Sequence, residues 1–314
     1  MALLKSAFAS LFSRWNEFWF AEISAYPIAA YRILLGVYLL IYLGASAPNV
    51  ALFFSNEGVY SPFLIPDIAP PVWLAWILYS LTMLLTLAFT AGYKSKFTTP
   101  ALLLMFLYHF FLNIAVKACS YERLLLMSLV LMCFGEIDAA WSHTAMCKPK
   151  EDGEAKVSAW LTRLLAFHLA YFYALTGVFK LLSPGWHSGE IIKGVMSGVW
   201  ASNASFWLLS WKPAPEIFNL MAYSVVLFEL TCPFFFFVRR LDLNISVGES
   251  VFAIKIPNVQ FWFFLCGLMF HIGIWVFMQI PQFMICPIGY VLFLQGEQVR
   301  ELFQFSWRRL RWLF

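Results

Sequence analysis

The chain has 314 residues, of which 62% are hydrophobic and only 12% are charged, and its net charge is +4. A soluble domain carries about 25% charged residues, so this composition excludes an ordinary soluble protein and predicts a polytopic membrane protein. The small positive charge does not indicate a nucleic-acid partner. The basic residues adjoin apolar segments, where membrane proteins normally carry them.

The elements in chain order predict an all-α bundle of about eight spans, with an interfacial amphipathic helix at each end. Residues 1–22 are amphipathic and predict the first interfacial helix, and the basic, aromatic residues 297–314 predict the second. A bundle over residues 23–296 lies between them. Its apolar runs cover about 24–44, 71–92, 99–117, 123–136, 159–182, 215–238, 258–279 and 283–295. The fourth and eighth runs are shorter than the roughly 20 residues that a spanning helix needs.

The distribution of lysine and arginine predicts the orientation of the bundle. With a cytoplasmic N-terminus and eight crossings, 14 basic residues lie in cytoplasmic segments and 3 in outside segments. Such a bias is typical of membrane proteins, so both termini are predicted to be cytoplasmic. Segments 45–70 and 183–214 then lie outside, where their glycines, prolines and aromatic residues predict ordered caps. Segment 241–256 alternates in hydrophobicity and predicts a short cytoplasmic hairpin.

The six cysteines do not form a recognisable metal or redox motif. There is no CxxC pair and no HxxxH pair, so we expect no disulfide framework, metal or haem. Free cysteines that pack as small apolar residues are the better interpretation.

Lys180 is the most informative ionisable residue, because it lies near the end of the apolar run 159–182. A charge in hydrocarbon costs several kcal/mol unless the side chain reaches the interface, pairs or loses its proton. Two interpretations therefore remain open. Lys180 either anchors the span at the interface, or it is a desolvated neutral amine that acts as a base.

Other polar residues of the apolar runs converge, in the predicted topology, beneath the outside caps. His109, Asn113 and Lys117 repeat every four residues, so they share one helical face. We predict a pocket for a lipid-soluble substrate, with Lys180 as the catalytic base. Its substrate-binding residues are His109, Asn113, Tyr173, Trp186 and His271. Hydrogen bonding between helices is the competing interpretation of these polar residues.

Arg32 and Glu229 lie well inside the first and sixth apolar runs. Intramembrane charges usually pair, so we predict a structural ion pair between them. A contact with an anionic substrate group is the alternative for Arg32.

Several fragments, in this order and spacing, resemble the membrane region of vitamin K-dependent γ-carboxylase and its bacterial relatives with the horizontally transferred transmembrane (HTTM) domain. The fragments are Tyr31-Arg32-Ile-Leu-Leu-Gly36, Ser120-Tyr-Glu-Arg123 through Trp141-Ser142, Thr176-Gly-Val-Phe-Lys180-Leu through Trp186, Phe270-His271 and Ile288-Gly-Tyr-Val291. The resemblance implies a helical membrane fold and a bacterial inner-membrane location.

The resemblance also implies a chemistry, because the carboxylase uses a lysine to deprotonate a reduced quinone, and Lys180 aligns with that lysine. The expected cofactor is therefore a reduced quinone. Two departures set this chain apart from the carboxylase. The chain ends at Phe314, without the large C-terminal region that recognises the protein substrate, and Tyr121 or a neighbour stands where the carboxylase has a histidine.

Three classes of function follow from these observations. The first is a quinol-dependent membrane enzyme with Lys180 as base. The second is a non-enzymatic protein that binds a quinone-like or isoprenoid lipid. The third is an accessory or structural subunit of a larger membrane complex, with its aromatic faces packed against neighbours.

Overall fold

The computed structural model of the chain describes residues 2–59, 68–112, 119–148, 154–238, 241–247, 250–256 and 258–310. Helices dominate these residues, which confirms the predicted all-α membrane fold class. The helices in chain order are α1 (Ala2–Phe20), α2 (Tyr26–Gly44), α3 (Val50–Phe54), α4 (Val72–Ala91), α5 (Ser95–Leu112), α6 (Ser120–Met132), α7 (His143–Met146), α8 (Ala159–Leu181), α9 (Pro184–His187), α10 (Glu190–Ser197), α11 (Asn203–Ser210), α12 (Pro215–Phe237), α13 (Val259–Phe277), α14 (Ile285–Gly289) and α15 (Gly296–Leu310).

Among the described residues, six helices are long and apolar enough to cross a membrane, namely α2, α4, α5, α8, α12 and α13. The two short runs of the sequence do not reach that length. The fourth run forms α6, which has 13 residues, and the eighth forms α14 between two 3-10 turns, Pro281–Met284 and Tyr290–Phe293. The predicted count of eight spans therefore stays a prediction.

The chain folds into two compact units. Unit 1 comprises Met1–Leu165 and Leu294–Phe314, and unit 2 comprises Ala166–Phe293. Unit 1 thus contains α1 to α7, the start of α8, and α15. Unit 2 contains the rest of α8 and α9 to α14.

In unit 1, α2 packs closely against α4, and Gly36 makes this approach possible. A Cβ atom on Gly36 would lie only 2.8 Å from Cβ and 3.0 Å from Cα of Thr90. Small residues are the usual means of close helix packing in membranes, where apolar side chains gain little by leaving the lipid. The hydroxyls of Thr82, Thr86 and Thr90 each donate to the carbonyl four residues earlier at 2.7 Å, so these threonines bring no unpaired donor into the contact.

A small two-stranded sheet joins distant parts of unit 1. Strand β1 (Glu22–Ser24), just before α2, pairs antiparallel with β2 (Lys156–Ser158), just before α8. The Ser24 hydroxyl donates to Glu154 Oε1 at 2.6 Å, and a Cβ atom on Gly296 would meet the Ser24 side chain. Helices α2 and α8 therefore begin at the same side of unit 1, and α15 begins there too.

This junction supports an even number of crossings in each half of the chain. Between β1 and β2 lie three long helices, α2, α4 and α5, and the short helix α6. Between β2 and α15 lie the long helices α8, α12 and α13, and the short run that contains α14. Three long helices alone would leave the chain on the opposite side of the membrane. The chain returns to its starting side in each half if the short run completes a fourth crossing, which is the arrangement that the charge distribution predicts.

In unit 2, aromatic side chains fill the space between α12 and α13. Phe263 stacks on Phe228 with ring centroids 4.9 Å apart and on Phe235 with centroids 4.7 Å apart. The segment predicted as an outside cap is ordered, since α10 packs on α12 through a buried apolar cluster. The cluster consists of Ile192, Met196, Phe218 and Ala222.

The predicted hairpin is confirmed. Strand β3 (Leu241–Val247) pairs antiparallel with β4 (Ser250–Ile256). Helices also form where the interfacial elements were predicted, as α1 and α15. Their position in the membrane interface and the boundaries of the three predicted regions stay predictions.

The crossing number can be tested by cysteine labelling in a variant that lacks the six native cysteines. Single cysteines in segments 45–70 and 183–214 should react with a membrane-impermeant maleimide added to intact cells. A cysteine in segment 137–157 should react only after permeabilisation. Labelling of segment 45–70 from the cytoplasmic side alone would show that the predicted orientation is wrong.

The α2–α4 contact predicts that Gly36→Ala destabilises the protein, because the added methyl group overlaps backbone and Cβ atoms of Thr90. Overpacking of this kind costs about 1–3 kcal/mol. The midpoint of thermal unfolding in detergent should fall. Gly44→Ala is the matched control in the same helix, since no atom beyond its chain neighbours and the backbone of its own helix lies within 4 Å of the new methyl group. Equal midpoints for the two variants would contradict the close approach.

Candidate functional site

Lys180 lies in the last turn of α8 and forms an ion pair with Glu229 of α12. Its Nζ donates a hydrogen bond to Oε1 of the carboxylate. The Lys180 side chain keeps 21% of its surface exposed, whereas Glu229 keeps only 7%. The sequence left two interpretations open, an interfacial anchor and a neutral amine that acts as a base, and to both the structure adds a contact between Lys180 and a buried acid.

The second oxygen of the Glu229 carboxylate is not part of this ion pair. Oε2 of Glu229 is buried and has no hydrogen-bond partner in the part of the chain that the structure describes. The hydroxyl of Thr176 donates to the Tyr173 carbonyl at 3.0 Å, and it also lies within hydrogen-bonding reach of the Glu229 carboxyl group. A buried carboxylate oxygen without a donor carries an uncompensated desolvation cost. Oε2 therefore keeps the capacity to accept a further hydrogen bond.

Trp186 covers the lysine. The Nζ atom of Lys180 lies 5.1 Å from the centroid of the indole ring, within the range of a cation–π interaction. Trp186 is held by the single turn of α9, and Nε2 of His187 lies 2.6 Å from the Leu181 carbonyl oxygen at the end of α8. The Gly-Trp-His sequence thus brings an aromatic ring onto the charged end of α8.

Tyr173, His271 and Tyr290 form a buried polar network in the same unit. The two tyrosine hydroxyls lie 2.5 Å apart, and Oη of Tyr173 lies 3.3 Å from Nε2 of His271. Nδ1 of His271 lies 2.8 Å from the Gly267 carbonyl oxygen. A carbonyl only accepts, so Nδ1 carries the proton, and Nε2 accepts from Tyr173. Tyr290 then donates to Tyr173, and each proton of the network has one acceptor.

Tyr290 is the member of this network that the sequence analysis missed as a site residue. It lies in a short apolar run, and no regular spacing of polar residues includes it. Gly267 makes room for it, because a Cβ atom there would lie 2.5 Å from the tyrosine ring. A glycine one helical turn before a membrane histidine was the available signal.

The end of α13, the helix that carries His271, is fixed by two serines at the start of α11. Oγ of Ser202 donates to the Val276 carbonyl at 2.6 Å, and Oγ of Ser205 donates to the Phe277 carbonyl. These bonds satisfy carbonyls that the helix end leaves without a partner. They tie the end of α13 to the start of α11.

The remaining predicted contacts are placed as follows. His109 is buried in unit 1, where its Nε2 lies 3.1 Å from the Thr82 hydroxyl and its ring packs on Phe54 with centroids 4.6 Å apart. Asn113 and Lys117 lie outside the described residues. Lys180, Tyr173, Trp186 and His271 belong to unit 2.

The predicted pairing of Arg32 with Glu229 needs correction, because each residue has a different partner. Arg32 is fully buried in unit 1, and it donates to the carbonyls of Ile137 at 2.8 Å and Trp141 at 2.5 Å. Its guanidinium thus fixes the loop that follows α6, while Lys180 takes the place of Arg32 beside Glu229. Spacing along the sequence could not distinguish the two cations.

The residues of unit 2 offer a cation, an unsatisfied carboxylate oxygen and an aromatic face within one small region. Such a set can orient a hydroxyl-bearing ring and exchange a proton with it. Within the described residues, no group of three His, Cys, Asp or Glu side chains is arranged to hold a metal ion.

Comparison with known proteins assigns the chain to one family. A family model described as the HTTM domain matches residues 20–288, which is most of the chain. Searches of curated proteins and of solved structures gave no match.

The ion pair predicts a strong coupling between its two residues. Removing one partner of a buried pair typically costs about 3–5 kcal/mol, and we expect the lower end of this range because Lys180 is partly exposed. Lys180→Met and Glu229→Gln should each lower the thermal midpoint in detergent. The double variant should lose clearly less than the sum of the two single losses. Strictly additive losses would show that the pair contributes nothing.

Proposed function

Starting from the membership of this chain in the HTTM family of integral membrane proteins, we propose that it binds the head group of a quinone-like or isoprenoid lipid at Lys180, with Lys180 as the base. The observation that carries the proposal is the unsatisfied Oε2 of Glu229 beside a lysine that keeps part of its surface exposed. A hydroxyl from a ligand would satisfy this oxygen.

The residues present fit an aromatic dihydroxy head group. One hydroxyl can donate to Glu229 Oε2, and the ring can stack against Trp186, whose indole already faces Lys180. The apolar surfaces of α8 and α12 suit an isoprenoid tail, since Phe179 and Leu227 are 64% and 65% exposed. A lipid-soluble ligand would therefore meet apolar surface along its tail and polar atoms at its head.

The proton chemistry of the pair follows from its hydrogen bond. Moving the shared proton from Nζ of Lys180 to Oε1 of Glu229 turns two charges into a neutral amine and a neutral acid. A reduced quinone, when bound, supplies an aromatic hydroxyl proton. Nζ of the neutral Lys180 amine then takes the aromatic hydroxyl proton, while the proton that left Lys180 stays on Oε1 of Glu229.

The Tyr173 network acts in this proposal as a support rather than as a base. Its protons are all used in hydrogen bonds between Tyr290, Tyr173, His271 and Gly267. Such a network fixes the part of α8 that lies before Lys180. His109 and Asn113 stay predicted substrate contacts, and a carboxylase-like overall reaction stays an implication of the resemblance.

The base role predicts a specific effect of Lys180→Arg on turnover of a reduced isoprenoid quinone by the purified protein in nanodiscs. Arginine keeps the positive charge and the pairing with Glu229, but it does not give up its proton. General base catalysis contributes about 10²–10⁴-fold, so kcat for hydroquinone-dependent oxygen uptake should fall by at least about 100-fold, with KM nearly unchanged. An oxygen electrode measures both quantities.

Lys193→Arg is the matched control, because Lys193 is an exposed lysine of α10. Its kcat should equal that of the unchanged protein. Equal kcat in Lys180→Arg, or no hydroquinone-dependent oxygen uptake at all, would show that the base role is wrong. Purification as a fixed-stoichiometry component of a larger complex, without bound quinone, would instead favour the accessory-subunit function.

A further inference from the structure

Unit 1 contains a cavity of about 270 Å³ at the beginning of α8, away from the residues discussed above. It is lined by residues around the end of α6, the strand β2 and the first turn of α8, together with Ile28 of α2. The volume corresponds to about nine water molecules at roughly 30 Å³ each, so the cavity has room for an organic group. We propose that it binds the phosphoethanolamine head group of a membrane lipid.

The first observation is a buried hydroxyl without a partner. Thr162 lines the cavity and is 3% exposed, yet its Oγ1 makes no hydrogen bond within the described residues. The buried threonines of α4 behave differently, because Thr82 and Thr86 each donate to the carbonyl four residues earlier. An unsatisfied buried hydroxyl is costly, so the hydroxyl of Thr162 is a donor for a ligand in the cavity.

The second observation is the helix start beside Thr162. The Ala159 N–H donates to the Ala21 carbonyl at 2.9 Å, but the N–H groups of Trp160 and Leu161 have no intrahelical acceptor at these positions. Both residues line the cavity, and so does Ser158 with a second hydroxyl. The start of a helix carries a partial positive charge and binds phosphate through such groups. This wall of the cavity therefore suits an anion.

The opposite charge is supplied by Glu136. Glu136 lines the cavity. Among the described residues it forms no salt bridge, since the one recorded there joins Lys180 and Glu229. A carboxylate accepts up to several hydrogen bonds from an ammonium group, and the indole of Trp160 at the same cavity offers a cation–π contact. A carboxylate beside a phosphate-binding wall selects a zwitterion over a simple anion.

The surroundings point to a lipid as the source of the zwitterion. Phe134 lines the cavity and is 74% exposed, which gives an acyl chain an apolar surface next to the head group. The cavity also lies where α8 begins, at the side of unit 1 on which the sheet of β1 and β2 brings together the starts of two membrane helices. Phosphoethanolamine free in solution shares the head-group chemistry but lacks the acyl chains.

The test measures thermal midpoints of the full-length protein in detergent micelles with added lipid. Dioleoyl phosphatidylethanolamine should raise the midpoint more than dioleoyl phosphatidylglycerol, which has the same chains and phosphate but no ammonium. Thr162→Val should leave the midpoint without lipid unchanged or higher, because it removes an unsatisfied hydroxyl. It should weaken apparent phosphatidylethanolamine binding by about tenfold, the effect of one lost hydrogen bond to a charged group.

Glu136→Gln should abolish the preference for phosphatidylethanolamine over phosphatidylglycerol, whereas Glu57→Gln, which changes an exposed carboxylate elsewhere in unit 1, should retain it. Stabilisation by free phosphoethanolamine at the same concentration as the lipid would support the head-group site and identify a soluble source. Equal stabilisation by both lipids, or a full phosphatidylethanolamine response in both cavity variants, would overturn the proposal.

Discussion

Hydrocarbon offers no hydrogen-bond partner, so the polar groups inside this protein have to be satisfied by the chain itself. This constraint explains the main internal contacts. The threonines of α4 turn their hydroxyls back to their own helix, and Arg32 donates to two loop carbonyls. The serines before α11 hold the end of α13. The constraint is not met at several buried atoms of the described residues, among them Nε of Arg32, Oε2 of Glu229 and Oγ1 of Thr162.

The fold class was predictable from the sequence because long apolar runs leave few alternatives to membrane helices. The hairpin was predictable because apolar and polar residues alternate along both of its strands. The strands β1 and β2 were not, since three residues each carry no periodic signal and their pairing depends on contacts between distant parts of the chain. The sequence also did not show that unit 1 combines the first 165 residues with the C-terminal helix. Hydropathy indicates which segments lie in a membrane but not which helices are neighbours.

At the candidate site, the sequence identified which residues are costly in a membrane, but not how they pair. Glu229 was recognised as an intramembrane acid and was paired with Arg32, whereas Lys180 was interpreted as an anchor or a base and not as its partner. Only the packing of α8 against α12 selects Lys180. Tyr290 was missed for a related reason. Its role depends on the space that Gly267 leaves on another helix, and a glycine before a membrane histidine does not by itself show which side chain fills that space.

The arrangement of unit 1 has a consequence for how the protein is made. Its first 165 residues leave the ribosome before unit 2, but α15, which packs against α2, comes after it. Chains grow at about 5–20 residues per second, so α2 has to wait roughly ten seconds or more for its last neighbour. The N-terminal unit is therefore the last to be completed. During that interval, the side of α2 that α15 later covers lacks this contact.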